Sequence, residues 1–213
     1  MTRSIWLRRT LATAVSILGS LTAAHLLLPW YAAWGTSDEE CRMGLPGDEI
    51  VSAPQTSYTL AVTIHAAPAE IWRWLVQMGQ GRGGFYTHEW IENLVGARIE
   101  NAGGIVSTLQ HLEVGDRIRL TPDPYFGQPG QFMTVEQLEP SHALVFRQTL
   151  PNGALASWAI VLHPERDGTT RVLTRRRGGQ PTLFDQVMRP GYVFMDRGVL
   201  RGLRVRAEAR TGA

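Results

Sequence analysis

Four consecutive segments near the middle of the chain constrain its fold most. Residues 132–138, 143–149, 154–163 and 170–177 each read as a strand. The gaps between them carry turn chemistry: Glu139-Pro140-Ser141, Pro151-Asn152-Gly153 and Arg166-Asp167-Gly168. Strands joined this tightly pair with their sequence neighbours, because a parallel partner needs a crossover of about a dozen residues. The pattern therefore predicts an antiparallel meander. Two more strands precede it. Residues 117–120 alternate Ile118 and Leu120 with Arg117 and Arg119, and residues 58–64 alternate Tyr58, Leu60, Val62 and Ile64 with small or polar residues.

A sheet of this kind must bury one face, and residues 183–210 supply a long helix to cover it. Tyr192, Met195, Val199 and Leu203 share one side of that helix, while Arg197, Arg201, Arg204, Arg206 and Arg210 cover the other. Pro190-Gly191 should kink it or divide it. After the first strand, Ala67-Pro68-Ala69-Glu70 starts a short helix whose stripe is Ile71, Trp72, Leu75 and Met78. A glycine-rich loop follows (Gly79, Gly81, Gly83, Gly84), then Phe85-Tyr86. A second short helix is expected over residues 88–95, burying Trp90, Ile91, Leu94 and Val95. The predicted class is α+β.

The N-terminus reads differently. Residues 11–28 carry no charge at neutral pH, about the length that spans a bilayer. Trp6 stands at one end and Trp30, Tyr31 and Trp34 at the other, as interfacial aromatics would. Arg3, Arg8 and Arg9 precede the run and Asp38, Glu39 and Glu40 follow it, which places the N-terminus in the cytoplasm and the domain outside. A cleaved signal peptide is the rival reading, leaving a secreted domain. The expected organisation is an anchor over residues 1–34, a linker or arm over 35–56, and one domain over 57–213. All basic residues are arginine. Their 21 charges are nearly cancelled by 19 acidic ones, which argues against a nucleic-acid partner. The lone Cys41 excludes an internal disulfide and a cysteine-clustered zinc site.

Three places carry a family resemblance. They are the arm from Trp34-Gly35-Thr36 to Pro46-Gly47-Asp48-Glu49; the segment Ala67-Pro68-Ala69-Glu70-Ile71-Trp72 with Trp74-Leu75-Val76-Gln77-Met78-Gly79 and Gly84-Phe85-Tyr86; and Met195-Asp196-Arg197-Gly198-Val199-Leu200-Arg201-Gly202-Leu203. With this order of elements, the chain resembles the START/SRPBCC superfamily of polyketide cyclase-like proteins, and within it a membrane-tethered bacterial branch. The resemblance implies a helix-grip fold: a curved antiparallel sheet wrapped on the long C-terminal helix, with two short helices after strand 1. It also implies a hydrophobic cavity between sheet and helix. It implies no single chemistry, since that fold hosts carriers, cyclases and sensors alike.

Candidate site residues follow from chemistry and position. His88 and Glu92 are four apart on one helix face, so with Tyr86 they could act as acid and base or hold a polar head group. An ordinary solvated ion pair explains the spacing equally. Gln77, Glu89 and Asn93 flank them. Trp158 sits among small neighbours and could shape a cavity wall. In Arg175-Arg176-Arg177, alternation sends Arg175 and Arg177 to one face and Arg176 to the other, so either one or two arginines face the concave side; Arg175 and Arg177 are the expected contacts for an anionic ligand, and a solvated strand end is the rival reading. An arginine facing the core would need a carboxylate such as Asp196 or Glu92. The glycine run follows a helix and lacks a Lys-Ser/Thr ending, so it is no phosphate loop; its glycines should let helices approach closely. No nucleophile triad is discernible and no metal or cofactor is expected. The leading expectation is a membrane-anchored protein that binds a hydrophobic small molecule or lipid without catalysis. A cyclase- or dehydratase-like enzyme and a partner-binding module are the alternatives.

Overall fold

The computed structural model describes residues 31–209, together with residues 13, 15, 16, 18–20, 22, 23 and 26. The expected anchor, residues 1–34, lies mostly outside the described residues. The described positions between residues 13 and 26, among them Val15, Leu18 and Leu26, are helical and exposed. Among the described residues no helix is long and apolar enough to cross a membrane.

The chain builds α1 (Asp38–Arg42), β1 (Thr56–Ile64), α2 (Pro68–Val76), α3 (Glu89–Leu94), β2 (Arg117–Arg119), β3 (Phe132–Glu139), β4 (Ala143–Thr149), β5 (Leu155–Pro164), β6 (Thr170–Gly178) and α4 (Leu183–Glu208). The six strands form one antiparallel sheet in the order β1-β6-β5-β4-β3-β2. The expected meander is present. The first strand, separated from it in sequence by both short helices, closes against β6. A six-stranded antiparallel sheet with a long C-terminal helix fits the helix-grip arrangement. Pro190 does not divide α4, which runs unbroken for 26 residues behind a Thr182 capping box.

Strand alternation splits the sheet into two packed faces. On the concave side Leu60, Ile64, Met133, Val135, Phe146, Trp158, Ile160 and Val172 are buried beneath α2, α4 and the glycine loop. Ile71, Trp74, Leu75 and Met78 form the buried stripe of α2, and Trp72, expected within it, is only half-buried. On the convex side Ala61, Val145, Ala159, Val161 and Leu173 pack under Leu45, Met43 and Ile50.

That second layer decides between the two readings of residues 35–56: the segment packs on the sheet as an arm, and the packing begins before residue 35. Thr59 N–H donates to the Ala32 carbonyl (3.3 Å) and Ala61 N–H to that of Trp34 (3.1 Å), so residues 32–34 occupy the free edge of β1. Tyr31 and Trp34, read from sequence as interfacial aromatics, lie against the core and beneath the guanidinium of Arg197 (5.6 and 4.5 Å). The chain then crosses to the convex face, where arginines of β6 hold it.

Candidate functional site

The arginine triplet of β6 decides where polar chemistry can sit. Alternation operates as expected, but the faces are the reverse of those assigned for ligand contact. Arg175 is buried on the convex side. Its Nε donates to Thr59 Oγ1 (2.8 Å), Nη1 to Met43 O and Asp48 Oδ2 (2.7 and 2.8 Å), and Nη2 to Glu40 O and Cys41 O (2.8 and 3.1 Å). Arg177 reaches Asp48 on the same side (3.2 Å). These two side chains fasten the arm, and Arg171 joins them by pairing with Glu40 (2.7 Å). The physical reason is the arm itself: it carries carboxylates and carbonyls to the convex face that the sequence pattern does not reveal.

Arg176 takes the opposite, concave face. Its Nε and Nη2 form a two-pronged pair with Asp196 of α4 (2.6 and 2.9 Å). Tyr58 of β1 donates its hydroxyl to the same carboxylate (2.7 Å). The guanidinium lies 4.0 Å from the centre of the Trp158 ring, whose Nε1 donates to Thr174 Oγ1 (2.7 Å). Strand register explains the convergence, because Tyr58 pairs with Arg176, Arg176 with Trp158 and Trp158 with Phe146, forming one row across four strands. The Asp196 side chain is 3% exposed, whereas that of Arg176 is 29% exposed. Burial first, and then the Asp196 carboxylate, push the Tyr58 hydroxyl well above the ordinary tyrosine range, so it stays a donor.

Outward from this row the next cross-strand row is Thr56, Gly178, Ala156 and Gln148. Gly178 has no side chain, but the Thr56 hydroxyl stands 2.7 Å from where its Cβ would be, so the small side chain of this row is that of Ala156. Above this end of the sheet the first turns of α4 are loosely covered, with Met188 and Tyr192 39% and 41% exposed. This end of the concave face therefore combines a partly exposed arginine, a large ring, the small Ala156 and apolar helix side chains. The sequence names Trp158, the partner Asp196 and Arg176 as the arginine of the opposite face, but it does not single out Arg176, Tyr58 or Tyr192 as ligand contacts. The signal present was the odd-even alternation of the triplet; the missing one was which side the arm covers.

The cluster expected around the glycine loop is structural in large part. Gln77 is buried; its Oε1 accepts from Val106 N–H (3.0 Å) and its Nε2 donates to Gly104 O (3.2 Å). Tyr86 is buried at φ 63°, a strained backbone for a bulky residue. Asn101 Oδ1 holds it there by accepting from its N–H (2.7 Å), and its hydroxyl donates to Trp74 O (2.9 Å). Burial pushes that hydroxyl up to about 12. Asn93 is bonded both ways to the Ile99 backbone (2.9 and 2.7 Å). Glu89 accepts from Asn101 N–H (3.2 Å). His88 stacks on Phe194 of α4 (4.8 Å) and Glu92 takes the Thr87 hydroxyl; the two are both partly buried and close enough for the His88 charge to act on Glu92, while the Tyr86 hydroxyl is engaged by Trp74 O. The glycines also differ from expectation. Gly83 and Gly84 serve the loop's own turns against Gln77 and Asn101, and the close helix approach belongs to Gly198 and Gly202 of α4. A cavity of about 430 Å³ lies by this loop, lined by Arg82, Arg98, Glu100 and Asn101 with Gly81, Ala102 and Gly103; it is polar and does not lie beneath α4.

Glu92 gives a pH test. Burial raises its carboxyl above the ordinary value of 4.5, against the opposing Thr87 hydrogen bond. The folded state then binds more protons between the unfolded and folded values, so stability falls as pH rises through that window. Glu92→Gln removes this loss. In melts at about pH 4 and about pH 7, the variant is expected to gain on the native chain at the higher pH; an offset that stays constant with pH would refute the assignment.

No family model and no curated protein matches the chain. Solved structures similar to it include protein MLL2253 from Mesorhizobium loti, at 19% identity and TM-score 0.45 over 72% of this chain and 98% of that one. The Aha1 dimer from Colwellia psychrerythraea is similar at 15% identity and TM-score 0.43, over 71% and 98%. The di-domain ARO/CYC StfQ from the steffimycin biosynthetic pathway is similar at 15% identity and TM-score 0.47, over 74% of this chain and 52% of that one. At these identities and scores the likeness carries no argument about ligand or activity.

Proposed function

We propose that this protein is a membrane-tethered helix-grip domain that binds a hydrophobic small molecule or lipid with a polar or acidic head, without catalysing its conversion. The observation that carries the reading is Arg176. It lies on the concave face beside Trp158, uses Nε and Nη2 on Asp196, and has no protein partner for Nη1 among the described residues. A largely buried guanidinium over an aromatic ring favours an oxygen acceptor at the end of an apolar body. Ala156 and the partly exposed Met188 and Tyr192 of α4 are the apolar groups next to it. The tether is supported by the uncharged run over residues 11–28 and by the exposed helical positions within it. An acid/base enzyme is the weaker reading, because the Tyr86 hydroxyl is spent on Trp74.

The test compares a fluorescent fatty acid with the corresponding fatty alcohol, titrated against the detergent-solubilised full chain. The acid should bind more tightly. Arg176→Lys keeps the charge facing Asp196 but loses the fork, and should cut the preference for the acid about tenfold, the size of one charge-assisted hydrogen bond. If neither probe binds, the reading fails; if both bind and Arg176→Lys leaves their ratio unchanged, the arginine is not the head-group contact.

A further inference from the structure

We propose that the outer face of α4, with α3 beside it, docks the domain onto the bilayer that holds the chain's own N-terminal segment. The proposal rests on the tether reading above and adds where the domain itself meets lipid. Sequence patterning predicts that Trp90, Leu94 and Val95 are buried. Instead Trp90 is 71% and Leu94 80% exposed, and Val95 is also exposed. The cause is local: α3 has only six residues and turns His88, Ile91 and Glu92 inward, which leaves its large apolar groups outside. On α4, Leu183, Val187 and Phe194 fall on one face and all are exposed, Leu183 at 77%. His88 stacks on Phe194, which joins the two helices into one surface. Large apolar groups exposed singly are ordinary, but six on two adjoining helices suit a docking surface.

Chain length says what covers it. Arg201 continues the same stripe of α4, and Trp34 lies over Arg197 and Arg201 at 4.5 and 5.5 Å. The N-terminal segment thus joins the domain on this face. Residue 28, the end of the uncharged run, is three positions before Tyr31, whose ring also lies near Arg197. Three residues reach about 10 Å at full extension. A bilayer crossed by residues 11–28 therefore has its surface beside the outer face of α4. Trp90 suits the interfacial depth, and the exposed Arg201 and Arg204 suit anionic head groups.

The experiment uses the full chain reconstituted in vesicles of phosphatidylcholine and phosphatidylglycerol. On a Cys41→Ser background, a bimane label is placed at Leu94→Cys, at Leu183→Cys, or at Arg166→Cys in the exposed β5–β6 turn. Nitroxide-labelled lipids then quench what lies at the membrane. Quenching several-fold stronger at both positions 94 and 183 than at 166 is expected. Equal quenching at all three, or strong quenching at only one of the two, overturns the proposal and reassigns the apolar face to another partner. Flotation reads the tether separately. A chain that floats with unquenched labels loses the docking surface and keeps the tether, and a chain that does not float loses both.

Discussion

Replacing Gly202 with alanine is expected to cost about 3 kcal/mol, at the upper end of overpacking changes. A Cβ built at Gly202 meets the Tyr86 carbonyl oxygen at 1.9 Å and the Tyr86 Cβ at 2.6 Å. Neither atom can move cheaply. Tyr86 is held at positive φ by Asn101, and its hydroxyl is fixed on Trp74. Alanine also gains helix propensity over glycine, by about 1 kcal/mol, but that gain is smaller than the clash. The contrast within the same helix makes the test sharp. At Gly191 a Cβ meets nothing closer than the Met188 Cε at 4.0 Å, so Gly191→Ala should be neutral or stabilising. Thermal melts should show opposite signs, with Gly202→Ala falling by roughly 10 °C for a domain of this size. A loss at Gly202 no larger than that at Gly191 would mean that α4 and the Tyr86 segment are not locked together.

The second large effect is expected at Asp196. Its carboxylate receives two bonds from Arg176 and one from Tyr58 while almost wholly buried. Asp196→Ala strands both donors. Removing one partner of a buried pair costs about 3–5 kcal/mol, and the partial exposure of Arg176 places this case near the lower value. Denaturant unfolding of Asp196→Ala, Arg176→Leu and the double variant gives the coupling directly. The double variant should be less unstable than the sum of the singles, since it leaves no orphaned charge. Additive losses would show that the pair contributes no specific coupling. The ligand preference measured with Arg176→Lys is independent of this result, because that variant retains the charge opposite Asp196.

These predictions concern features of unequal legibility. The strands and hairpin turns could be read directly, since period two and turn residues are local properties. Phe132, Ala143 and Thr170 begin strands where alternation places them. The extent of α4 was also legible from its apolar stripe, although Pro190 proved compatible with one continuous helix. The site was less so. Alternation separates Arg176 from Arg175 and Arg177, yet it leaves open which side is the core, because an arginine's partners come from distant segments. Asp48 and the carbonyls of the arm lie more than a hundred residues from Arg175. For α3 the same reasoning fails in the opposite sense: apolar residues at helical spacing indicate a face but not its neighbour, and Trp90 and Leu94 have none among the described residues of the core.

What the sequence determined by itself is the α+β order, the antiparallel meander, the long covering helix and the uncharged N-terminal run, all written in spacings of a few residues. What only the tertiary structure decided is the use of the polar and apolar groups those elements carry. The arm covers the convex face and so commits Arg175 and Arg177 to structure. α4 brings Asp196 to the concave face and so creates the Arg176 centre. Tyr86, central in the sequence reading, became a clamp for Gly202. The physical reason is the same in each case: a hydrogen bond or a burial requires a partner, and partners far apart in sequence meet only when the sheet has chosen its faces.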